Sequence, residues 1–268
     1  MLESPELRWS FIRKIYSIIS IQLLATIAVA ATVVSVRPIA TFFVSSGAGL
    51  AVYIVLLVTP FIGENSLQFL FLSPVSLNLP SPSFSRNVVS AFLYLAGLIF
   101  SGDFFLSRVV LCPLYYYHQK HPVNYILLGI FTITIAFAVG LTCAFTSGKV
   151  ILEAVILTAT MVVGLTLFTF WAAKRGYDFN FLGPFLFGAV LVLMVFAFIQ
   201  ILFPLGKLSQ TIYGCLASII FCGYIVYDTD NLIKRYSYDE YIWAAVSLYL
   251  DIINLFLSLL TIFRAADS

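Results

Sequence analysis

Six apolar runs, each about 20 residues long, constrain this chain more than any other feature of its sequence. A bilayer core about 30 Å thick is crossed by roughly 20 apolar residues in a helix. Only helices and closed barrels satisfy the backbone in lipid, and these runs are too long and too uniformly apolar for barrel strands. The runs lie at about 15–36, 123–145, 150–173, 181–203, 208–227 and 242–263.

The composition agrees with a membrane-embedded chain. Hydrophobic residues make up 62% of it and charged residues 10%, whereas a soluble domain carries about 45–50% and about 25%. A formal net charge of +2 is too small to indicate a nucleic-acid-binding protein. The sequence therefore predicts an all-α integral membrane protein and excludes a water-soluble globule.

The stretch between the first two runs departs from this pattern. Residues 48–62 and 109–117 are apolar, but each segment is too short to cross a bilayer comfortably. Between them, residues 63–108 contain nine serines and three prolines. Joining residue 62 to residue 109 would create an apolar segment of 24 residues. We therefore interpret 63–108 as an unusual insertion that interrupts the second helix of a seven-transmembrane-helix bundle.

The alternative is that 48–72 and 88–117 form two separate spans, and the basic residues distinguish the two arrangements. With seven spans, eight basic residues fall on one side of the membrane and four on the other, whereas an eighth span removes most of this bias. Because basic loops stay in the cytosol, we predict seven spans, a cytosolic N-terminus and one membrane domain over 1–268. The eight are Arg8, Arg13, Lys14, Lys120, Lys174, Arg175, Lys234 and Arg235, and the four are Arg37, Lys149, Lys207 and Arg264.

Polar residues form a stripe along the last apolar run. Ser247, Asp251, Asn254 and Ser258 recur at steps of four, three and four residues, so they share one helix face. An ionisable side chain in hydrocarbon costs at least about 2.5–3.5 kcal/mol and is a functional candidate by default. We expect this stripe to face protein or water, with Asp251 as its centre.

A second carboxyl, Asp228, comes at the cytosolic end of the preceding run, and Asp230 follows it in a position that we expect to be solvated. Helices joined by a short loop pack antiparallel. If Asp228 and Asp251 meet, they would share one proton near neutral pH. Loss of that proton would separate the two carboxylates, or a hard cation such as Ca²⁺ would bridge them through oxygen.

Further polar residues give weaker signals. Glu153 lies one turn inside its run, where a helix N-terminus favours a carboxylate, and it is an alternative candidate for a cation path. His118 and His121 are the only histidines, which excludes a three-histidine zinc site. No phosphate loop, dinucleotide fingerprint or nucleophile elbow is present, so we predict no enzyme activity and no cofactor.

The chain resembles the Bax inhibitor/Lifeguard family of membrane proteins, in particular its plant Lifeguard-like branch. The resemblance covers roughly 1–62 and 109–268. The segments that carry it are RWSFIRKIYSIISIQLLATI, HQKHPVN, GLTCAFTSGKVILEAVILT, FLGPFLFGAVLVLMVFAFIQILFP, CGYIVYDTDNLI and YDEYIWAAVSLYLDIINLFLSLLTIF.

The resemblance implies a seven-helix bundle in endomembranes that suppresses programmed cell death and has a pH-dependent Ca²⁺ leak. The aspartate pair of the family falls on Asp228 and Asp251, which would be the pH sensor and a tentative Ca²⁺ site. Some members latch that pair with a basic residue, and His118 is its nearest substitute here. Residues 63–108 have no counterpart in the family pattern and resemble translated non-coding sequence such as a retained intron.

Two functional hypotheses follow. In the first, the protein is a Ca²⁺ leak of the endoplasmic reticulum, Golgi or vacuole, gated by Asp228 and Asp251, with Ser247, Asn254 and Glu153 along the ion path. In the second, it is a non-conducting adaptor that binds other membrane regulators of cell death. A secondary transporter is disfavoured because the two halves show no internal repeat. The sequence predicts the lipid bilayer as a partner and does not indicate the oligomeric state.

Overall fold

The computed structural model describes residues 5–36, 38, 122–203 and 206–267, and over these ranges its regular elements are all helical. Within these ranges, six helices are long and apolar enough to cross a membrane. The interrupted second helix, the insertion 63–108 and His118 lie outside the described residues. The helices are α1 (Pro5–Ser35), α2 (Val123–Ala144), α3 (Gly148–Lys174), α4 (Leu182–Leu202), α5 (Lys207–Lys234) and α6 (Tyr241–Asp267).

The apolar runs locate these helices well but misplace the polar ends of two of them. Helix α1 begins at Pro5 rather than at residue 15, and α5 continues to Lys234 rather than ending at residue 227. Hydropathy marks only the part of a helix that suits lipid, whereas backbone hydrogen bonding continues through polar turns. The extension of α5 is important because it places Asp228 inside a helix instead of at its end.

Helix α6 is the centre of the described bundle. In its most apolar stretch 78% of the residues are buried within the protein, against 17% in the corresponding stretches of α3 and α4. Helix α6 packs against α1, α3 and α5, with α2 behind α1. A helix that is buried by neighbours on most of its faces forms the core of a bundle.

Two glycines allow neighbouring helices to approach closely. A Cβ atom added to Gly214 of α5 would lie 3.0 Å from the backbone oxygen of Ser258 and 2.7 Å from the Cγ1 atom of Ile262, both on α6. A Cβ atom added to Gly140 of α2 would lie 2.9 Å from the Cβ atom of Val33 on α1. Small residues at such crossings are typical of membrane helix pairs.

Buried polar contacts connect α1 to α2 and α6. The Gln22 side-chain amide donates to the Thr132 hydroxyl at 3.0 Å, and the hydroxyls of Thr26 and Tyr249 lie 2.8 Å apart. Since Gln22 meets Thr132 and Val33 lies beside Gly140, α1 and α2 run in the same direction. The seven-span prediction requires this direction, because it makes α1 the first span and α2 the third. The predicted second span lies outside the described residues, so the count of seven stays a prediction.

The two ends of the bundle differ in charge. Arg8 at the start of α1 donates to the backbone oxygens of Ile233 and Tyr236 at the end of α5, so these termini share one end. At the other end, the Ser147 hydroxyl donates to the Asp267 carboxylate at 3.2 Å. Of the basic residues in the described ranges, seven lie at the first end (Arg8, Arg13, Lys14, Lys174, Arg175, Lys234, Arg235) and three at the other (Lys149, Lys207, Arg264).

Candidate functional site

The site is built on the hairpin formed by α5 and α6. Helix α5 ends at Lys234, and a short 3₁₀ turn, Tyr238–Glu240, leads directly into α6. The turn is held by the Ser237 backbone N–H, which donates to the Glu240 carboxylate at 2.8 Å, a capping-box contact. Because α5 is longer than its apolar run, Asp228 lies more than one turn inside the helix and opposite the first half of α6.

Asp228 is buried between the two helices, with 7% of its surface exposed. The Ser247 hydroxyl of α6 donates to its Oδ2 atom. Its carboxyl also lies within hydrogen-bond reach of the Asp251 side chain on α6 and of Asn231, one turn along α5. The structure therefore brings the two predicted carboxyls together and surrounds Asp228 with a hydroxyl, an amide and a second acid.

All members of the polar stripe on α6 are buried. The exposed fractions are 8% for Ser247, 7% for Asp251, 3% for Asn254 and 4% for Ser258. Ser247 bonds Asp228, which shows that its part of the stripe faces α5, and Ser258 donates to the backbone oxygen of Leu255. Carboxylate, hydroxyl and amide oxygens together are the ligand type that a hard cation such as Ca²⁺ prefers.

Glu153 is not part of this group. It lies in the second turn of α3, near the end of the bundle where Ser147 contacts Asp267, and 44% of its side chain is exposed. Its Oε1 atom is 3.8 Å from the Lys149 Nζ atom, a spacing typical of a solvated i,i+4 pair. His118, the predicted latch, lies outside the described residues, so both roles stay predictions.

Asp230 is the carboxyl that the sequence interpretation placed wrongly. It is fully buried rather than solvated. Its Oδ1 atom lies 2.5 Å from the Lys234 Nζ atom, and its Oδ2 atom lies 3.5 Å from the Arg235 Nη1 atom. The backbone N–H of Phe179, in the connection between α3 and α4, donates to Oδ2 at 3.3 Å. A buried carboxylate persists when cations and hydrogen-bond donors compensate its charge.

The expectation for Asp230 failed because the apolar run ends at residue 227, which suggested that Asp230 lay in a loop. The signal that could have corrected it is the spacing from Asp230 to Lys234. An acid four residues before a base is the favourable order of a helical ion pair. It indicated that the helix continues.

The same ionic cluster holds the connection between α3 and α4. The Arg235 Nη2 atom lies 2.6 Å from the Asp178 carboxylate, and Lys234 donates to the backbone oxygen of Tyr177. The Asn180 backbone N–H and, next, the Arg235 guanidinium hold the pKa of Asp178 below its usual range. This link therefore keeps its charge at every pH above the ordinary aspartate pKa.

Within the residues that the structure describes, no three His, Cys, Asp or Glu side chains gather into a metal site. Asp228 and Asp251 bring two carboxylates to this interface, whereas a Ca²⁺ ion takes six to eight oxygen ligands.

Comparison with known proteins gives consistent matches. The family model described as "Inhibitor of apoptosis-promoting Bax1" matches residues 77–268, most of the chain. "Protein LIFEGUARD 2" of Arabidopsis thaliana is 68% identical over 268 residues, which covers the whole chain and 92% of that protein. "Protein lifeguard 4" of Mus musculus is 31% identical over 264 residues, covering 98% of this chain and 88% of that protein.

A viral protein is similar as well. The "Golgi anti-apoptotic protein" of Vaccinia virus is 32% identical over 181 residues, covering 68% of this chain and 75% of that protein. The range of the family model, residues 77–268, includes Asp228, Asp230 and Asp251, the buried carboxyls of α5 and α6. The matches to the plant and mouse proteins cover 98% or more of this chain.

Proposed function

This chain belongs to the Bax inhibitor/Lifeguard family, and from that membership we propose that it suppresses programmed cell death in an endomembrane as a pH-sensitive Ca²⁺ leak. The family description and the name of the viral relative refer to inhibition of apoptosis. The observation that carries the leak is the buried contact of Asp228 with Ser247 and Asp251 across the α5–α6 interface.

A proton shared by Asp228 and Asp251 would keep the leak closed. Two carboxyls in hydrogen-bond contact are held together when one proton bridges them, because the protonated oxygen donates to the other group. When that proton is lost, two like charges in a low-dielectric interface repel each other. The repulsion would loosen the contact between α5 and α6, the two helices that meet at the site.

The open site would attract a cation. Two ionised carboxylates, with the Ser247 hydroxyl and the Asn254 amide on the same helix, offer oxygen ligands to Ca²⁺ along the inner face of α6. Because the anionic ligands are few, the ion would bind briefly and move on, as conduction requires. Glu153, near the opposite end of α3, would meet the ion at the mouth of the path.

The compartment and orientation belong to the same proposal. A relative carries the word Golgi in its name, which supports an endomembrane location. The end of the bundle that contains Arg8, Lys174 and Lys234 is the more basic one in the described ranges, which supports its assignment to the cytosol. The leak would then release Ca²⁺ from an internal store into the cytosol.

Purified protein in Ca²⁺-loaded liposomes tests the proposal. We expect a Ca²⁺ efflux that increases as the pH rises through the neutral range, and an Asp251→Asn variant whose efflux no longer depends on pH. Asp239→Asn, an exposed change at the same end of the bundle, is the matched control and should keep the wild-type profile. Liposomes that pass no Ca²⁺ with wild-type protein would contradict the leak and leave the non-conducting adaptor as the function.

A further inference from the structure

We propose that Asp230 is a positioning residue for the Ca²⁺ leak, because it clamps the connection between α3 and α4 onto the end of α5 and so fixes the position of Asp228. This inference rests on the proposed function. It assigns a role to a buried acid that does not belong to the Asp228–Asp251 pair and touches no part of the ion path described above.

Asp230 is fully buried at the end of α5. A fully buried carboxylate with two cations is a rigid element, since each partner that moves away leaves an uncompensated charge. Lys234, one turn further along α5, and Arg235, the C-cap residue of α5, both reach the Asp230 carboxylate. The three side chains therefore form a charge cluster that fixes the final turn of α5.

This charge cluster also binds the connection between α3 and α4. Phe179 donates its backbone N–H to Asp230, Tyr177 accepts from Lys234, and Asp178 pairs with Arg235. Three consecutive residues of the connection between α3 and α4 are thus bound to the last turn of α5. We call residues 177–179 with Asp230, Lys234 and Arg235 the cytosolic clamp.

Only a short length of helix separates the clamp from the site that contains Asp228. Asp230 and Asp228 are two residues apart on one continuous helix, which corresponds to a rise of about 3 Å. A helix transmits a rotation or a shift of its last turn directly to residues so close by. Arg8 of α1 also holds this end of α5, because it donates to the backbone oxygens of Ile233 and Tyr236.

The position of Asp228 matters because its contacts with α6 are short and directional. Its carboxyl must meet the Ser247 hydroxyl and the Asp251 side chain at once. Sites of this kind tolerate errors of only about 0.5 Å. Release of the clamp would let the last turns of α5 rotate or fray, and the geometry that a passing Ca²⁺ meets would change.

The experiment compares Asp230→Asn, Asp230→Glu and the exposed control Asp239→Asn in liposomes at one fixed pH, with the luminal Ca²⁺ concentration varied. We expect Asp230→Asn to raise the half-saturating Ca²⁺ concentration by about fivefold or more. Asp230→Glu protein, which keeps the charge, should have a half-saturating Ca²⁺ concentration closer to the wild-type value. Asp239→Asn protein should have the wild-type value. Loss of maximal flux alone, at an unchanged half-saturating concentration, would reduce Asp230 to a structural role and overturn the inference.

Hydrogen exchange provides a second measurement that does not depend on conduction. In Asp230→Asn protein, exchange of the 175–181 segment and of the last turn of α5 should accelerate by about tenfold, with no change in Asp239→Asn protein. Unchanged exchange would overturn the clamp. If wild-type liposomes pass no Ca²⁺, the proposed function fails, while the exchange data still decide whether the clamp exists.

A milder variant covers the case in which Asp230→Asn does not fold. Asp178→Asn removes the link from the exposed side, where 58% of the Asp178 side chain is accessible, and leaves Asp230 with both cations. We expect it to shift the half-saturating Ca²⁺ concentration in the same direction, by a smaller factor. An unchanged value in this folded variant would contradict the coupling between the connection and the site.

Discussion

Asp228 and Asp230 lie two residues apart on α5 and both are buried, yet their surroundings are opposite in character. Asp230 meets Lys234, Arg235 and a backbone N–H. Asp228 meets a hydroxyl, an amide and a second carboxyl. Successive residues on a helix point about 100° apart, so two positions along the chain suffice to face different neighbours.

The difference is one of charge compensation. Two cations balance the charge of Asp230, whereas the second acid beside Asp228 adds no positive charge. In the proposed function, Asp230 therefore fastens helix ends, and Asp228 responds to acidity. Because both acids lie within a single turn of one helix, the proposed clamp and the proposed switchable contact are directly connected.

We expect the largest effect on protein stability from replacing Asp230. Asp230→Asn removes the buried anion that Lys234 and Arg235 both contact, which should lower the free energy of unfolding by about 3 kcal/mol. Thermal or denaturant unfolding in detergent measures this loss. Asp239→Asn is the control for the change of charge, and a loss as small as in that variant would contradict the clamp.

The close approach of α5 and α6 provides the second test. Gly214→Ala places a Cβ atom 3.0 Å from the backbone oxygen of Ser258 and forces the two helices apart. We expect a loss of about 1–3 kcal/mol, the usual range for overpacking, together with a weaker contact between Asp228 and Ser247.

Gly188→Ala is the matched control for this change, because no heavy atom of the surroundings lies within 4 Å of its added Cβ atom. Unfolding of both variants is measured under the same conditions. Equal stability of the two would show that the α5–α6 contact is not close enough to hold the carboxyls in place.

Asp228→Asn should have a smaller effect on stability than Asp230→Asn. Asparagine has the shape of the aspartate and keeps an acceptor for the Ser247 hydroxyl. It removes a charge whose hydrogen-bond partners are a hydroxyl, an amide and a second carboxyl. We expect the free energy of unfolding to change by about 1 kcal/mol or less, while the pH dependence of Ca²⁺ efflux disappears. A loss as large as that of Asp230→Asn would remove the distinction between the two acids.

The smallest effect concerns the pH dependence of the clamp. Because the pKa of Asp178 is lowered by the Asn180 N–H and by Arg235, its link stabilises the protein above the ordinary aspartate pKa of about 3.9 and loses that effect as the pH falls through the lower value in the folded protein. Unfolding of wild-type and Asp178→Asn protein should therefore differ by a constant amount between about pH 5 and 8 and converge only in more acidic solution. A difference that changes across the neutral range would make the clamp itself a pH sensor.

Sequence reasoning located the described helices because long apolar runs have few alternatives in lipid. It also identified Asp228, Asp251 and the polar stripe of α6, since polar groups in such runs are rare enough to stand out. It could not locate the end of α5. That end depends on ion pairs between Asp230, Lys234 and Arg235, which hydropathy counts as breaks in a span although they stabilise the helix.

The surroundings of each carboxyl required tertiary structure. Nothing in the local sequence indicates that Phe179, more than 50 residues before Asp230, donates a backbone N–H to it. Likewise, the contact of Asp228 with Ser247 depends on the register of α5 against α6, which the close approach at Gly214 helps to determine. The number of spans and the insertion 63–108 stay predictions, since they concern residues outside the described ranges.

Infrared spectroscopy of the buried carboxyl groups tests the central claim, the shared proton, most directly. Wild-type protein and the Asp228→Asn and Asp251→Asn variants are titrated in lipid, and the band of protonated carboxyls in the bundle is followed. The account predicts that wild-type protein releases one proton from this band near neutral pH and that each variant lacks this step. Two carboxyls that titrate independently near the ordinary aspartate value of about 3.9 would contradict it.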